Sequence, residues 1–127
     1  MTYGYKKEVS LTFDETLEKA KSELAKEGFG ILTEINVKET LKKKLDKDYD
    51  NYVILWACNP PFAYEALTIE KEIGLLLPCN VIIFEENERV FVSAVLPTVA
   101  MNVADNTALA ELAEKVEEKL KRAIDEV

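Results

Sequence analysis

The chain of 127 residues has no histidine, two cysteines, four glycines, four prolines and one tryptophan. Without histidine, Ser10, Ser22 and Ser93 have no imidazole to activate them, so a serine–histidine triad is excluded. Zinc is disfavoured on similar grounds: two thiolates leave only distant carboxylates or a second subunit to complete four ligands. Basic charge is also scarce, with 16 lysines and arginines against 24 acidic residues and a net charge of −8. Phosphate backbones are bound by basic faces, so no nucleic-acid partner is expected. The one basic run, Lys42-Lys43-Lys44 with Lys47, is interleaved with Asp46, Asp48 and Asp50 and reads as a solvated helix face. No apolar run reaches membrane-spanning length, and Met1-Thr2-Tyr3-Gly4-Tyr5-Lys6-Lys7 lacks the apolar stretch of a signal peptide. The expectation is a cytoplasmic protein without a membrane partner, its cysteines reduced. Gly28-Phe29-Gly30 is a helix stop and strand start, not a dinucleotide fingerprint.

Nearly half of the residues are apolar and about a third charged, the balance of a single soluble domain spanning residues 1–127. Tyr3 to Ser10 reads as an edge strand. Thr12 and Glu15 have capping-box spacing, and a helix follows with Phe13, Leu17, Ala20 and Leu24 on one stripe. Gly28 suits its left-handed stop. Ile31, Thr33, Ile35 and Val37 alternate with Leu32, Glu34 and Asn36, which predicts a strand with one wet face. Asn36 with Glu39 caps a short basic helix ending near Leu45. Tyr52 to Ala57 is a central strand. Asn59 is a good N-cap and Pro60 a good first residue for a helix to about Glu70. Gly74 interrupts the pattern, and Leu75-Leu76-Leu77 is a loop ended by Pro78. Cys79 to Glu85 and Arg89 to Val95 form a hairpin. A short irregular or helical piece follows Pro97, and Asn106 caps a last helix with the stripe Leu109, Leu112, Val116, Leu120 and Ile124. Both long helices have a single apolar side, so neither sits between two sheets. The fold class is α+β: an antiparallel or mixed sheet of about five strands with the two long helices on one face.

The cysteines occur in two Cys-Asn pairs set among prolines, Ala57-Cys58-Asn59-Pro60-Pro61 and Leu77-Pro78-Cys79-Asn80-Val81. If the strand ending at Cys58 and the strand starting at Cys79 are antiparallel neighbours, the pairs meet at one end of the sheet. Cys58, Asn59, Cys79 and Asn80 are therefore the candidate ligand-binding residues; no catalytic or metal-ligating residue and no cofactor is assigned. Orphan amides at a helix start favour a thiolate at Cys58. Packing alone explains most buried cysteines, and a 20-residue separation lacks the force of a Cys-X-X-Cys motif.

The segments Leu55 to Ala63 and Ile73 to Val81, with Gly4-Tyr5, Phe13-Asp14-Glu15 and Gly28 to Leu32, resemble the signature of the domain-of-unknown-function family 302 over nearly the whole chain. The resemblance implies a fold similar to the TATA-box-binding-protein class, in the order strand, helix, four strands, helix, and a homodimer. It would also place an acidic residue before Pro97, where this chain has Leu96. Three functions stay open: a dimeric small-ligand-binding or sensing domain, a thiol-dependent enzyme or sulfur or redox carrier using Cys58 or Cys79, and a structural or interaction module. The first is favoured over an enzyme, because lysine and carboxylate are the only general bases present.

Overall fold

The computed structural model describes residues 2–127. Five strands form one sheet: β1 (Gly4–Val9), β2 (Gly30–Asn36), β3 (Tyr52–Cys58), β4 (Cys79–Glu86) and β5 (Arg89–Val95). Their spatial order is β1-β5-β4-β3-β2, and every neighbouring pair is antiparallel. The first and second strands are thus the two edges, joined by helix α1 (Phe13–Lys26). Helices α2 (Val37–Leu45) and α3 (Pro60–Ile69) follow β2 and β3, and α4 (Pro97–Ala100) and α5 (Thr107–Asp125) follow β5. The segment Lys71–Leu76, expected to be a break and loop, is a 3₁₀ helix around buried Ile73.

Local chemistry sets these boundaries. The Thr12 hydroxyl accepts from the Glu15 amide while the Glu15 carboxylate accepts from the Thr12 amide, closing the capping box. Asn36 and Asn106 cap α2 and α5 through their side-chain oxygens. Gly28, at φ 88°, turns the chain out of α1; a Cβ there would also lie 3.1 Å from the Asn59 amide nitrogen.

Cross-strand partners share a face, so the register sorts the sheet. The inner face carries Val53, Leu55, Ala57, Cys79, Val81 and Ile83, all buried. Against it lie α1, through Ala20 and Leu24, and α5, through Val116, Leu120 and Ile124. The outer face holds the row Ile35-Ile54-Ile82-Ser93-Lys6 and the row Tyr52-Phe84-Phe91-Glu8. Tyr52, Phe84 and Phe91 stack at 5.8 and 5.1 Å between ring centroids. Among the described residues neither row contributes a side chain to the buried clusters, and α2 flanks β2 and β3 without burying a residue of its own.

One expectation for β2 fails. Ile31 pairs with Ala57 but Thr33 pairs with Trp56, so the register shifts between them. This extra residue is a β-bulge, and it exchanges faces midway. Ile31 packs into the core whereas Ile35 joins the outer face beside Ile54. Simple alternation cannot describe such a strand.

The β4–β5 hairpin closes through Asn87 and Glu88, at φ 53° and 65°, between the paired residues Glu86 and Arg89. Two central residues with positive φ are the signature of a type I′ turn, where glycine is favoured second. A left-handed conformation costs a residue with a Cβ about 1–2 kcal/mol. Glu88→Gly should therefore stabilise the domain by about 1 kcal/mol, read as a higher guanidinium midpoint at unchanged slope. An unchanged or lower midpoint would contradict the strained turn.

Candidate functional site

Antiparallel pairing of β3 with β4 brings the two Cys-Asn pairs to one end of the sheet. Ala57 is opposite Cys79 and Trp56 opposite Asn80, while Cys58 pairs with Gly30 on the other side. Beside them a cavity of about 270 Å³ lies between the sheet end and α3 and α5. Its walls include Phe29, Phe62, Leu67, Met101, Leu112 and Val116, together with Cys58, Asn59 and Cys79. The cavity follows a seam. Phe29, Ala57, Cys79 and Val116 belong to the main core, whereas Ala66, Met101, Leu112 and Ala113 belong to a second cluster; Phe62 packs against both. Protein interiors normally close such gaps to crystal-like density. Here Ala57, Ala63, Ala66, Gly74 and Ala113 line the seam with side chains too short to meet across it.

Asn80 is placed differently from its three companions. It is exposed on the outer face and lines a second cavity of about 300 Å³ with Trp56, Leu75, Val95, Pro97 and Ala100. Leu77, Pro78, Cys79 and Met101 are common to both cavities and form the wall between them. Neither cavity is lined by a charged residue. The wall contributed by α5 and Met101 was not legible as a site, because Leu112 and Val116 carry only the signature of a core-facing stripe.

Asn59 occupies the N-cap position of α3, but its side chain makes no cap bond. Its Nδ2 instead donates to the Glu27 carbonyl at the end of α1, at 3.2 Å. The expected local cap is thus a tertiary tie, from the start of one helix to the end of another. The cause is proximity: Gly28 brings the α1 terminus against the Asn59 amide. Asn59 is buried, so losing the donor leaves a carbonyl without its partner. Asn59→Asp is a good N-cap residue yet cannot donate to Glu27, and it places a negative charge beside that carbonyl. Denaturant melts should show Asn59→Ala destabilised by about 1–2 kcal/mol and Asn59→Asp by at least as much. Full tolerance of aspartate would restore the capping role.

Both cysteines are free, Cys79 buried and Cys58 half-buried. Burial, reinforced by the nearby Cys58, pushes the Cys79 thiol up to about 11 from 9.0. At neutral pH Cys79 is a neutral, apolar wall element. The folded state then holds its proton more tightly than the unfolded chain, so stability falls as pH rises from about 9 to about 11. Relative to Cys79→Ala, the unmodified protein should lose about 2–3 kcal/mol across that window. Parallel pH profiles of the two proteins would refute the buried thiol. Among the described residues no carboxylate joins the two thiols in a cluster of three potential metal ligands.

A family model described as domain of unknown function DUF302 matches residues 5–127. No curated protein matches the chain. Among solved structures, the crystal structure of uncharacterized conserved protein DUF302 from Bacillus stearothermophilus is 31% identical and superposes with a TM-score of 0.94. That alignment covers 99% of this chain and 98% of the other. Family model and structural neighbour agree over nearly the full length, so the chain belongs to the DUF302 family.

Proposed function

We propose that this domain is a dimeric small-ligand-binding protein whose ligand, an uncharged and largely apolar molecule, sits in the cavity beside the Cys-Asn pairs. The observation that carries this reading is the cavity wall. About 270 Å³ is just below the range of drug-sized ligand pockets, which suits a small molecule. The wall offers aromatic and aliphatic carbon, the sulfurs of Cys58, Cys79 and Met101 and one side-chain amide, Asn59, with no charge to hold a carboxylate or phosphate. Moving a charged group into such surroundings without a partner is strongly unfavourable. The neutral Cys79 thiol suits contact with apolar matter better than nucleophilic attack, which supports binding over thiol chemistry at that residue.

Indole is a suitable probe, being small, neutral and mostly apolar. Thermal unfolding should shift upward with indole concentration, approaching about 2.7 kcal/mol of stabilisation at a hundredfold excess over Kd. Ala66→Leu places its added carbons in the cavity and should remove the shift while the protein stays folded. No shift in the unmodified protein, or an equal shift in both, refutes the site.

A further inference from the structure

We infer that the outer face of the sheet is the interface of a two-fold homodimer, and that the partner copy closes the second cavity. This deepens the dimeric reading above by naming the surface. The charges of this face, Glu86 and Arg89 at the hairpin end and Lys6 and Glu8 on β1, lie at its rim; from Tyr52 to Trp56, Asn80 to Phe84 and Phe91 to Val95 no outward position is charged. That is anomalous in a chain with 31% charged residues. Trp56 is 40% exposed there, and Leu75 beside it is 83% exposed. A contiguous apolar face of this kind marks a surface covered by another molecule.

Three considerations select a second copy as that molecule. The first is area. Five strands about 4.8 Å apart, each of about seven residues rising about 3.4 Å, give a projected face of roughly 600 Å². Side-chain relief adds to this, approaching the roughly 800 Å² per partner of a stable interface. The second is charge. Two copies at −8 repel each other wherever their ordinary surfaces meet, whereas this face has an uncharged centre and a rim on which Lys6 and Arg89 balance Glu8 and Glu86, so it is where they approach with the least opposition of like charges. A two-fold axis near the Ile54–Ile82 pair sets apolar surface against the same apolar surface, with no second chemistry to match. The third is the state of the edges. Lys6, Lys7 and Glu8 line β1 and a bulge interrupts β2, both of which discourage edge-to-edge pairing. The face, not an edge, remains for association.

The second cavity gives the interface a consequence. Trp56, Asn80 and Val95 form one wall of it, and Leu75 to Pro78 with Pro97 and Ala100 another. A copy docked on the outer face roofs this space with its own residues. The cleft is incomplete in one chain and enclosed in two.

Trp56 is the sole tryptophan and reports directly on the face. Sedimentation equilibrium should give twice 14.4 kDa at micromolar concentration. Acrylamide quenching of Trp56 should fall by about half between dilute monomer and dimer, because an interface core excludes water. Ile82→Lys places an unpaired charge at the centre of the face and should yield a monomer with fully quenchable Trp56. A monomer at every concentration removes the dimer and the face together. A dimer that survives Ile82→Lys, or whose Trp56 quenches as readily as in dilute protein, keeps the dimer and overturns this face. Should the lysine variant fail to fold, quenching in the unmodified chain decides alone. Indole binding in the first cavity is read separately and stands or falls on its own.

Discussion

Helices α1 and α5 each carry one apolar stripe, and together they cover one face of a five-stranded sheet. The rest of the architecture depends on that one-sided packing. Leu120 and Ile124 of α5 and Leu24 of α1 are excluded from water, packed in one cluster with the equally excluded Leu55, Val81 and Ile83. Each such side chain contributes about 1.5–3 kcal/mol on burial, well above any single surface contact in this molecule. The stripes fix which way the sheet faces, and so which residue of each strand is core. The same arrangement leaves the opposite face without a helix, so its isoleucines and aromatics depend on one another and on whatever covers them.

The seam has a similar origin. The main core is centred on the sheet and the second on Ile73 and Leu109, under α3 and the 3₁₀ segment. Among the described residues Phe62 alone packs against both, while the intervening Ala63 and Ala66 of α3 and Ala113 of α5 are short. A larger residue at Ala66 or Ala113 would merge the clusters into one core and abolish the cavity. The carboxylate that the family resemblance places before Pro97 is absent, but the start of α4 still meets an acid. Glu117 of α5 accepts from the Thr98 amide at 3.1 Å and from its hydroxyl at 2.7 Å. That contact secures the segment carrying Met101 against the last helix, and with it the wall between the two cavities.

Elements governed by local chemistry were legible in the sequence. The capping box at Thr12, the caps at Asn36 and Asn106, the Gly28 stop and the stripe of α5 all occur where their spacing places them. So does the meeting of the Cys-Asn pairs, which needed only antiparallel pairing of β3 with β4. What escaped was set by tertiary context. The bulge in β2 is a property of its pairing with β3. Asn59 forgoes its local cap because the Glu27 carbonyl is closer to hand once α1 is docked. Asn80 parts from Cys79 because adjacent strand residues leave on opposite faces.

The clasp between β1 and α5 bears on how the chain is made. The Lys7 ammonium donates to the carbonyls of Asp125 and Val127, and the Tyr5 hydroxyl to the Asp125 carboxylate, across about 120 residues of sequence. The hydrogen-bonding partner of β1 in the sheet, β5, is itself more than 80 residues downstream. During synthesis the first strand therefore emerges long before either of its neighbours exists. Its charged composition, Lys6-Lys7-Glu8, keeps that waiting segment solvated and poorly suited to pairing with the wrong strand. Completion of the sheet is a late, non-local event, and the nascent chain reaches it with its earliest strand unpaired.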